Sequence, residues 1–195
     1  MGRHRLSARH HQHRKAPTNA NATTVASSST DYSSRALYAC KNCPSYNAIT
    51  WYLSVPYYWD DGKQDSKGGN ATIYTLADGT TTKVGMWFKQ QLKITGFSST
   101  STFTGTMISK PVALSGMDSS AISALKLQTD YFFLPAAGYT DYETGAFSEG
   151  GTEGYYWSST PYFETTGASF MGFFSGGVTL TNGSRAFGLL PWTAQ

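Results

Sequence analysis

Between Gly154 and Thr160 the chain reads Gly-Tyr-Tyr-Trp-Ser-Ser-Thr, and from there to Gly188 aromatic and glycine residues alternate with small, chemically unrelated ones. Catalytic stretches hold acids, bases or nucleophiles in fixed relation to one another. This stretch instead consists of a regular aromatic framework with interchangeable residues between its members. It therefore predicts a binding surface.

The composition fits the same interpretation without requiring it. Charged residues make up 14% of the 195 residues, aromatic residues 15%, and there are 20 glycines. Tyrosine, serine, threonine and glycine in such a mixture resemble an antibody paratope, in which rigid rings stand among adaptable small polar groups. Composition alone fits an ordinary all-β or α+β domain with an aromatic core better.

The basic charge is confined to the N-terminus. Five of the 15 Lys and Arg residues, and no acid, lie in residues 1–15, which leaves ten cations against 12 acids in residues 16–195, a net charge of −2. The body therefore has no positive field that would attract nucleic acid. Residues 1–35 predict a disordered tail, first basic and then rich in Ser and Thr, and residues 36–195 a folded domain. The His-rich part of the tail suits metal capture or contact with an acidic partner, but a solvated tail is the interpretation we favour.

The two cysteines form a lone Cys-x-x-Cys, Cys40 to Cys43, and all four histidines lie in the tail. A structural zinc site needs four ligands, so this pair does not predict one. Free buried cysteines are the first interpretation and a short-loop disulfide the second.

Several segments have periodic or capping signals. Residues 44–53 predict a short helix opened by Pro44 or Ser45, residues 86–94 a second helix, and residues 120–127 a further turn of helix. A hairpin is expected around Asp78-Gly79 and another at the Asn-Gly pair 182–183, because that pair accepts the positive φ angles of a type I′ turn. Short strands are expected at residues 131–134, 155–157, 169–174, 178–180 and 187–190.

No stretch approaches the roughly 18 apolar residues of a membrane span, and no signal peptide is visible because no apolar segment follows the basic start. If the protein leaves the cell, we expect a cell-surface or extracellular location, or a place in a phage virion.

Six blocks occur in an order typical of one family: Cys43-Pro44 with Trp51-Tyr-Leu53, Trp59-Asp60, Gly85-Met-Trp-Phe-Lys89, Ile94-Thr-Gly-Phe-Ser98, Tyr131-Phe-Phe-Leu-Pro-Ala-Ala-Gly-Tyr139 and Gly154-Tyr-Tyr-Trp-Ser-Ser-Thr160. Over about residues 36–190 the chain resembles the Fibrobacter succinogenes major paralogous domain family. Some members of that family are variable proteins of diversity-generating retroelements. The resemblance implies a C-type-lectin-like fold, α+β in class, with short helices, small antiparallel sheets and long loops.

The resemblance also implies a variable region, at about residues 162–190. Such retroelements mutate template adenines, so asparagine codons change but never become Lys, Glu, Gln, Met or Trp. All residues at the positions expected to vary obey this restriction. These ligand-binding candidates are Thr165, Thr166, Gly167, Ser169, Phe170, Gly172, Phe174, Gly177, Thr179, Thr181, Asn182, Gly183, Ser184, Ala186 and Phe187.

Strand alternation gives this prediction a structural form. With a period of two, Phe174 and Thr179 face solvent while Phe173, Ser175, Val178 and Leu180 face the core. Arg185 and the block from Tyr155 to Trp157 are expected to be scaffold. The chain departs from the family after Gly188, where we expect Trp192 to fill the core.

An enzyme is the least favoured class. No cysteine follows position 43 and no histidine follows position 13, which excludes His-based nucleophilic and metal sites from the body. Paired carboxylates remain, Asp60 with Asp61 or Asp141 with Glu143, but glycosidases need two acids that face each other across a cleft. We expect no catalytic residue, no metal ligand and no cofactor. Calcium held by Asp141, Glu143, Glu149 and Glu153 is a minority alternative.

The first hypothesis is therefore a display protein that binds an unknown protein or glycan on a target surface through a retroelement-diversified C-terminal face. Its aromatic anchors are expected to be Phe170, Phe174 and Phe187. The alternative is a non-diversified structural or adhesive subunit of a cell surface or virion with the same fold.

Overall fold

The computed structural model describes residues 40, 42–63, 73–127, 130–141, 143–161, 167–184 and 187–192. This part of the chain is mixed α+β, with two short α-helices and several small sheets, as the sequence predicts. The tail 1–35, for which we expect disorder, lies outside the described residues.

The two α-helices are α1 (Tyr46–Tyr52) and α2 (Ser119–Leu127), and short 3-10 helices span Gln91–Lys93 and Leu114–Gly116. Helix α1 begins where the sequence predicts, because the Ser45 hydroxyl accepts a hydrogen bond from the backbone N–H of Ala48 at 3.1 Å. Such N-caps satisfy a donor that has no partner within the helix.

The strands follow one another along the chain as β1 (Tyr58–Asp60), β2 (Tyr74–Thr75), β3 (Thr81–Thr82), β4 (Gly85–Lys89), β5 (Val112–Ala113), β6 (Tyr131–Pro135), β7 (Ala137–Thr140), β8 (Phe147–Gly150), β9 (Gly154–Pro161), β10 (Gly167–Phe174) and β11 (Gly177–Ser184). Strands β2 and β3 form the hairpin predicted around Asp78-Gly79. A four-stranded sheet has the order β5-β1-β4-β6, and a five-stranded sheet the order β11-β10-β9-β7-β8.

The predicted helix at residues 86–94 is wrong. Residues 85–89 form β4, which pairs with both β1 and β6, and only Gln91–Lys93 turn as a 3-10 helix. Met86, Trp87 and Phe88 are all buried. A strand buried on both faces shows a continuous apolar run, and periodicity cannot distinguish this run from a segment of buried helix.

The segment expected to form a strand at residues 187–190 makes only isolated bridges, Gly188 with Thr140 and Leu190 with Tyr156. This segment runs between β7 and β9 and is followed by Trp192, whose side chain is buried in the core. There the Trp192 ring stacks on Phe132 with 5.8 Å between centroids, and its indole N–H donates to the Trp157 carbonyl at 3.0 Å. The expectation that Trp192 fills the core is thus confirmed.

The main core lies between the two larger sheets and α1. Its most buried side chains include Ile49, Phe88, Met171 and Phe173. Cys40 and Cys43 belong to it as free, buried thiols, which agrees with the first of the two alternatives left open by the sequence.

A second, smaller core lies under α2 and contains Trp87, Leu114 and Ile122. At its margin the Lys126 ammonium lies 2.8 Å from the Asp60 carboxylate, and the two side chains are 3% and 4% exposed. The Trp87 indole donates to the same carboxylate at 3.2 Å. A buried charge needs such partners. The ion pair therefore links helix α2 to strand β1 of the four-stranded sheet.

Within the described residues, the helices are too short or too polar to cross a membrane.

Candidate ligand-binding face

The hairpin of β10 and β11 is the frame of the candidate site. Its register is unbroken from Phe174 opposite Gly177 to Gly167 opposite Ser184, so the connection is the two-residue turn Ser175-Gly176. A Cβ atom on Gly176 would lie 2.5 Å from the Phe174 ring. A side chain at this position would require the exposed Phe174 ring to move.

The predicted type I′ turn at Asn182-Gly183 is wrong. Both residues lie inside β11, where Asn182 pairs with Ser169 and Gly183 with Ala168. The apolar partners further along the hairpin explain why, since Met171 meets Leu180 and Phe173 meets Val178 in this register. Burying these residues on one side sets the register and overrides the local preference of an Asn-Gly pair.

Alternation along the two strands separates a core face from an outer face. On the core side Met171 and Phe173 are fully buried. On the outer side Phe174 is 42% exposed and Thr179 is exposed. Ser175, which we expected to face the core, is exposed because it belongs to the turn.

The structure divides the predicted binding residues between these faces. Candidates at one set of alternating positions share the outer face: Phe170, Gly172, Phe174, Gly177, Thr179, Thr181 and Gly183. Candidates at the intervening positions belong to the core side of the strands: Gly167, Ser169, Asn182 and Ser184. Three candidates, Thr165, Thr166 and Ala186, lie outside the described residues, as does Arg185.

Two candidates of the second group are corrected. Gly167 and Ser169 are buried, so neither presents a side chain to a ligand. They precede Met171 and Phe173 at intervals of two residues, and a period of two carries the whole set to the core side. Asn182, by contrast, is exposed because β11 is an edge strand of its sheet.

A row of aromatic rings crosses the outer face. Phe170 stands edge-on to Trp157 at 5.9 Å and lies 6.2 Å from Tyr155. Tyr139 meets Tyr155 at 5.2 Å and Phe187 at 5.7 Å, both nearly perpendicular. Such edge-to-face contacts fix ring positions. The row thus links β10, β9 and β7 with the segment that carries Phe187.

Tyr155 is a residue that the sequence interpretation assigned to the scaffold. It is half-buried beside Phe170 on the outer face, whereas Tyr156 in the next position is 2% exposed in the core. In the sequence, strand alternation within the pair Tyr155-Tyr156 is the signal that one of the two rings faces outward. Trp157 is buried, as expected of scaffold.

Two glycines lie under this row. A Cβ atom on Gly183 would be 2.9 Å from the Phe170 ring, and one on Gly172 would be 3.2 Å from the Tyr155 ring. The rings therefore cover these backbone positions, which is why Gly172 is buried although it faces outward. Gly177 is likewise covered, since its Cβ would meet the Ser109 carbonyl oxygen at 3.1 Å.

The Tyr155 hydroxyl lies beside carboxylates at the margin of the aromatic row. The Tyr155 hydroxyl donates to the Glu153 carboxylate. Burial, then this hydrogen bond and the negative charges of Glu153 and Glu149, raise the pKa of Tyr155 well above its ordinary value. Tyr155 is therefore a neutral aromatic contact and hydrogen-bonding group.

The paired carboxylates considered for catalysis are engaged elsewhere. Asp60 is held by Lys126 and Trp87, whereas Asp61 accepts from the backbone N–H of Lys63 at 3.1 Å. The neighbours thus serve different parts of the chain, and Asp60 is closed off from solvent. Neither pairing provides the two acids facing across a cleft that glycosidase chemistry requires.

Asp141 is a loop cap. Its Oδ1 accepts from the backbone N–H groups of Glu143 and Thr144 and from the Thr144 hydroxyl, and these hydrogen bonds, those from Thr144 above all, lower the pKa of Asp141. In the ranges that the structure describes, no three His, Cys, Asp or Glu side chains converge as metal ligands do. The calcium alternative gains no support from this arrangement.

Comparison with known proteins gave no match, whether with family models, with curated proteins or with solved structures.

Proposed function

We propose that this chain is a display protein with a C-type-lectin-like fold that binds a protein or glycan on a target surface through the outer face of β9, β10 and β11. The observation that carries the proposal is the separation of the two faces of one hairpin. Side chains of the outer face can be exchanged while those of the core face keep the fold, which is the property that a diversified binding surface needs.

The chemistry of the face suits recognition of varied partners. Phe174 is exposed at the tip, Phe170 and Tyr155 are half-buried, and Thr179 and Thr181 lie beside them. Rings held in place by their neighbours bind with little loss of conformational entropy, and threonine hydroxyls adapt to different hydrogen-bonding partners. Half-buried aromatic residues are also the usual energetic centres of protein interfaces.

Diversification by a retroelement is the more specific part of the proposal. It rests on the resemblance of the motifs and on the identity of the outer residues, each of which an altered asparagine codon can encode. A cell-surface location or a place in a phage virion follows from the same hypothesis, because a display face acts where it meets its target.

The test is to sequence sibling copies of the gene together with the DNA downstream. We expect a reverse transcriptase gene and a near-copy repeat that differs from the coding strand at adenines, with substitutions at positions such as 174, 179 and 181. Substitutions at 171, 173, 178 and 180 should be absent.

A locus without the repeat, or variation spread equally over both sets of positions, would contradict diversification. The second candidate, a non-diversified adhesive subunit, would then account for the same aromatic face, since that face is present whether or not its residues vary.

A further inference from the structure

The cysteine pair lies at a junction of three chain segments. The backbone N–H of Cys43 donates to the Cys40 carbonyl at 2.9 Å, which closes a turn between the two cysteines. The Cys43 sulfur accepts the backbone N–H of Trp192 at 3.4 Å, and the Pro44 carbonyl accepts the Ser159 N–H of β9 at 3.0 Å. The segment of the two cysteines, the segment that carries Trp192 and strand β9 therefore meet beside Cys43.

The turn brings the backbones of the two cysteines within disulfide range. A closed β-turn keeps its first and fourth Cα atoms within about 7 Å, and disulfides span Cα separations of roughly 4.4 to 6.8 Å. The two Cα atoms therefore lie within the range that a disulfide can span.

The two thiols differ in their chemistry. The hydrogen bond from Cys40, opposed by burial and assisted by the Trp192 N–H, lowers the pKa of Cys43. The same hydrogen bond and burial raise the pKa of Cys40. Because the thiolate is the nucleophile in thiol chemistry, Cys43 is the attacking group and Cys40 keeps the proton.

Access comes from a cleft of about 360 Å³ that opens to solvent. Cys43 forms part of its wall, together with Gln91, Ser99 and Ser159 from three other segments. These side chains are uncharged hydrogen-bonding groups, which suit the amide groups of a peptide-like disulfide. Cys40 is not part of this wall.

We propose that Cys40 and Cys43 form a thiol–disulfide exchange site at which Cys43 attacks a low-molecular-weight disulfide in the cleft and Cys40 resolves the product. In the first step the Cys43 thiolate forms a bond with one sulfur of the disulfide, and the other sulfur leaves as a thiolate that takes up a proton. In the second step Cys40 loses its proton to solvent and attacks Cys43, which expels the second thiolate. The protein dithiol is oxidised to one disulfide while the small disulfide is reduced to two thiols. This site does not depend on the proposed binding function.

The experiment exposes the full chain to mixtures of reduced and oxidised glutathione, quenches with acid, and blocks remaining thiols with N-ethylmaleimide before mass spectrometry. We expect wild-type protein to lose both thiols together and about 2 Da of mass, without retaining glutathione, since two hydrogens leave when the intramolecular bond forms. This reaction should proceed faster than global unfolding measured under the same conditions.

Matched variants assign the two roles. Cys40→Ser should retain one glutathione on Cys43, whereas Cys43→Ser should react at Cys40 at least tenfold more slowly. The rate of reaction at Cys43 should fall as the pH is lowered. The midpoint of this fall should lie below about 8.5, the pKa of an ordinary thiol. If a variant fails to fold, peptide mapping of the mixed disulfide trapped early on wild-type protein gives the same assignment.

Two results would overturn the proposal. One is wild-type protein that keeps both thiols under oxidising mixtures until guanidinium unfolds it, which would make them inert core residues. The other is glutathione that attaches first to Cys40.

Discussion

The two faces of the β10–β11 hairpin differ in what they contact, although the same two eight-residue strands form both. On the core side Phe173 stacks on Tyr156 at 5.7 Å and is 1% exposed. On the outer side its neighbour Phe174 is 42% exposed. One residue along the chain thus separates a position that specifies the fold from one that is open to exchange, because successive side chains of a strand point in opposite directions.

This difference shows how a fold can separate stability from recognition. The core face is close-packed, so changes in volume there are felt throughout the hairpin. On the outer face Phe174 and Thr179 are exposed, and the aromatic row is held by contacts from β9 and β7 as well as from the hairpin. Residues of the outer face can therefore be exchanged without loss of the core.

The largest effect is expected from truncating the core ring. Phe173→Ala should lower the free energy of unfolding by about 3–5 kcal/mol, because it removes buried apolar surface and leaves a cavity. Phe174→Ala is the matched control and should cost less than about 1 kcal/mol. Urea denaturation followed by circular dichroism measures both. Similar losses for the two variants would break the distinction between the faces.

Glycine substitutions give the next largest contrast. A Cβ atom on Gly154 would lie 2.3 Å from the Phe173 ring in the core, whereas one on Gly183 would lie 2.9 Å from the half-buried Phe170 ring. Gly154→Ala should cost about 1–3 kcal/mol, since a ring in a packed core cannot yield without strain. Gly183→Ala should cost less, about 1 kcal/mol or below, because a half-buried ring needs to shift by only a few tenths of an ångström and has open space on one side. Thermal unfolding of the two variants tests this order.

Alkaline pH should weaken the core. Burial raises the pKa of Tyr57 to about 12, and its hydroxyl donates to the Ile108 carbonyl at 2.7 Å. The folded state therefore holds this proton more tightly than the unfolded state, so the stabilisation is complete below pH 10 and is lost as the pH rises from 10 toward 12.

Unfolding titrations between pH 9 and 12 should show this loss, with on the order of 1–2 kcal/mol coming from Tyr57. Tyr57→Phe should be less stable than wild type at pH 8 but should lose less stability over the alkaline range. Equal pH dependence of the two proteins would show that Tyr57 does not titrate differently in the folded state.

The smallest effect is expected on the outer face. Thr179→Tyr combined with Thr181→Ala should change the free energy of unfolding by no more than about 0.5–1 kcal/mol, with an unchanged dependence on urea. The control is Met171→Thr, a core-face change that should cost about 2–4 kcal/mol. A strongly destabilised outer variant would mean that these threonines hold the hairpin together.

The sequence predicts local features better than distant ones. Helix α1 has a visible cap at Ser45, and period-two alternation places Phe173 inward and Phe174 outward. The helix expected at residues 86–94 is instead a central strand, since burial on both faces removes the alternation that marks a strand. The turn expected at Asn182-Gly183 is displaced because pairing with β10 outweighs local turn preference.

The candidate site was predictable in part for the same reason. Its position in the last two strands and the outward direction of Phe174 and Thr179 follow from period-two spacing. The burial of Ser169 and the outward direction of Tyr155 follow from the same spacing. Which strand lies beside which does not follow from it, because single-sequence patterns do not contain that information. The buried pair of Asp60 and Lys126 joins residues far apart in the chain, so no local pattern indicates it.

The separation of the two faces is tested most directly by displaying two libraries of the full chain and comparing how many members of each fold. One randomises the outer positions Phe174, Thr179, Thr181 and Gly183, and the other randomises the core positions Met171, Phe173, Val178 and Leu180. The fraction of each library that resists protease measures folding. We expect most outer-face variants to survive and few core-face variants to do so. Equal survival of the two libraries would contradict the separation of the two faces.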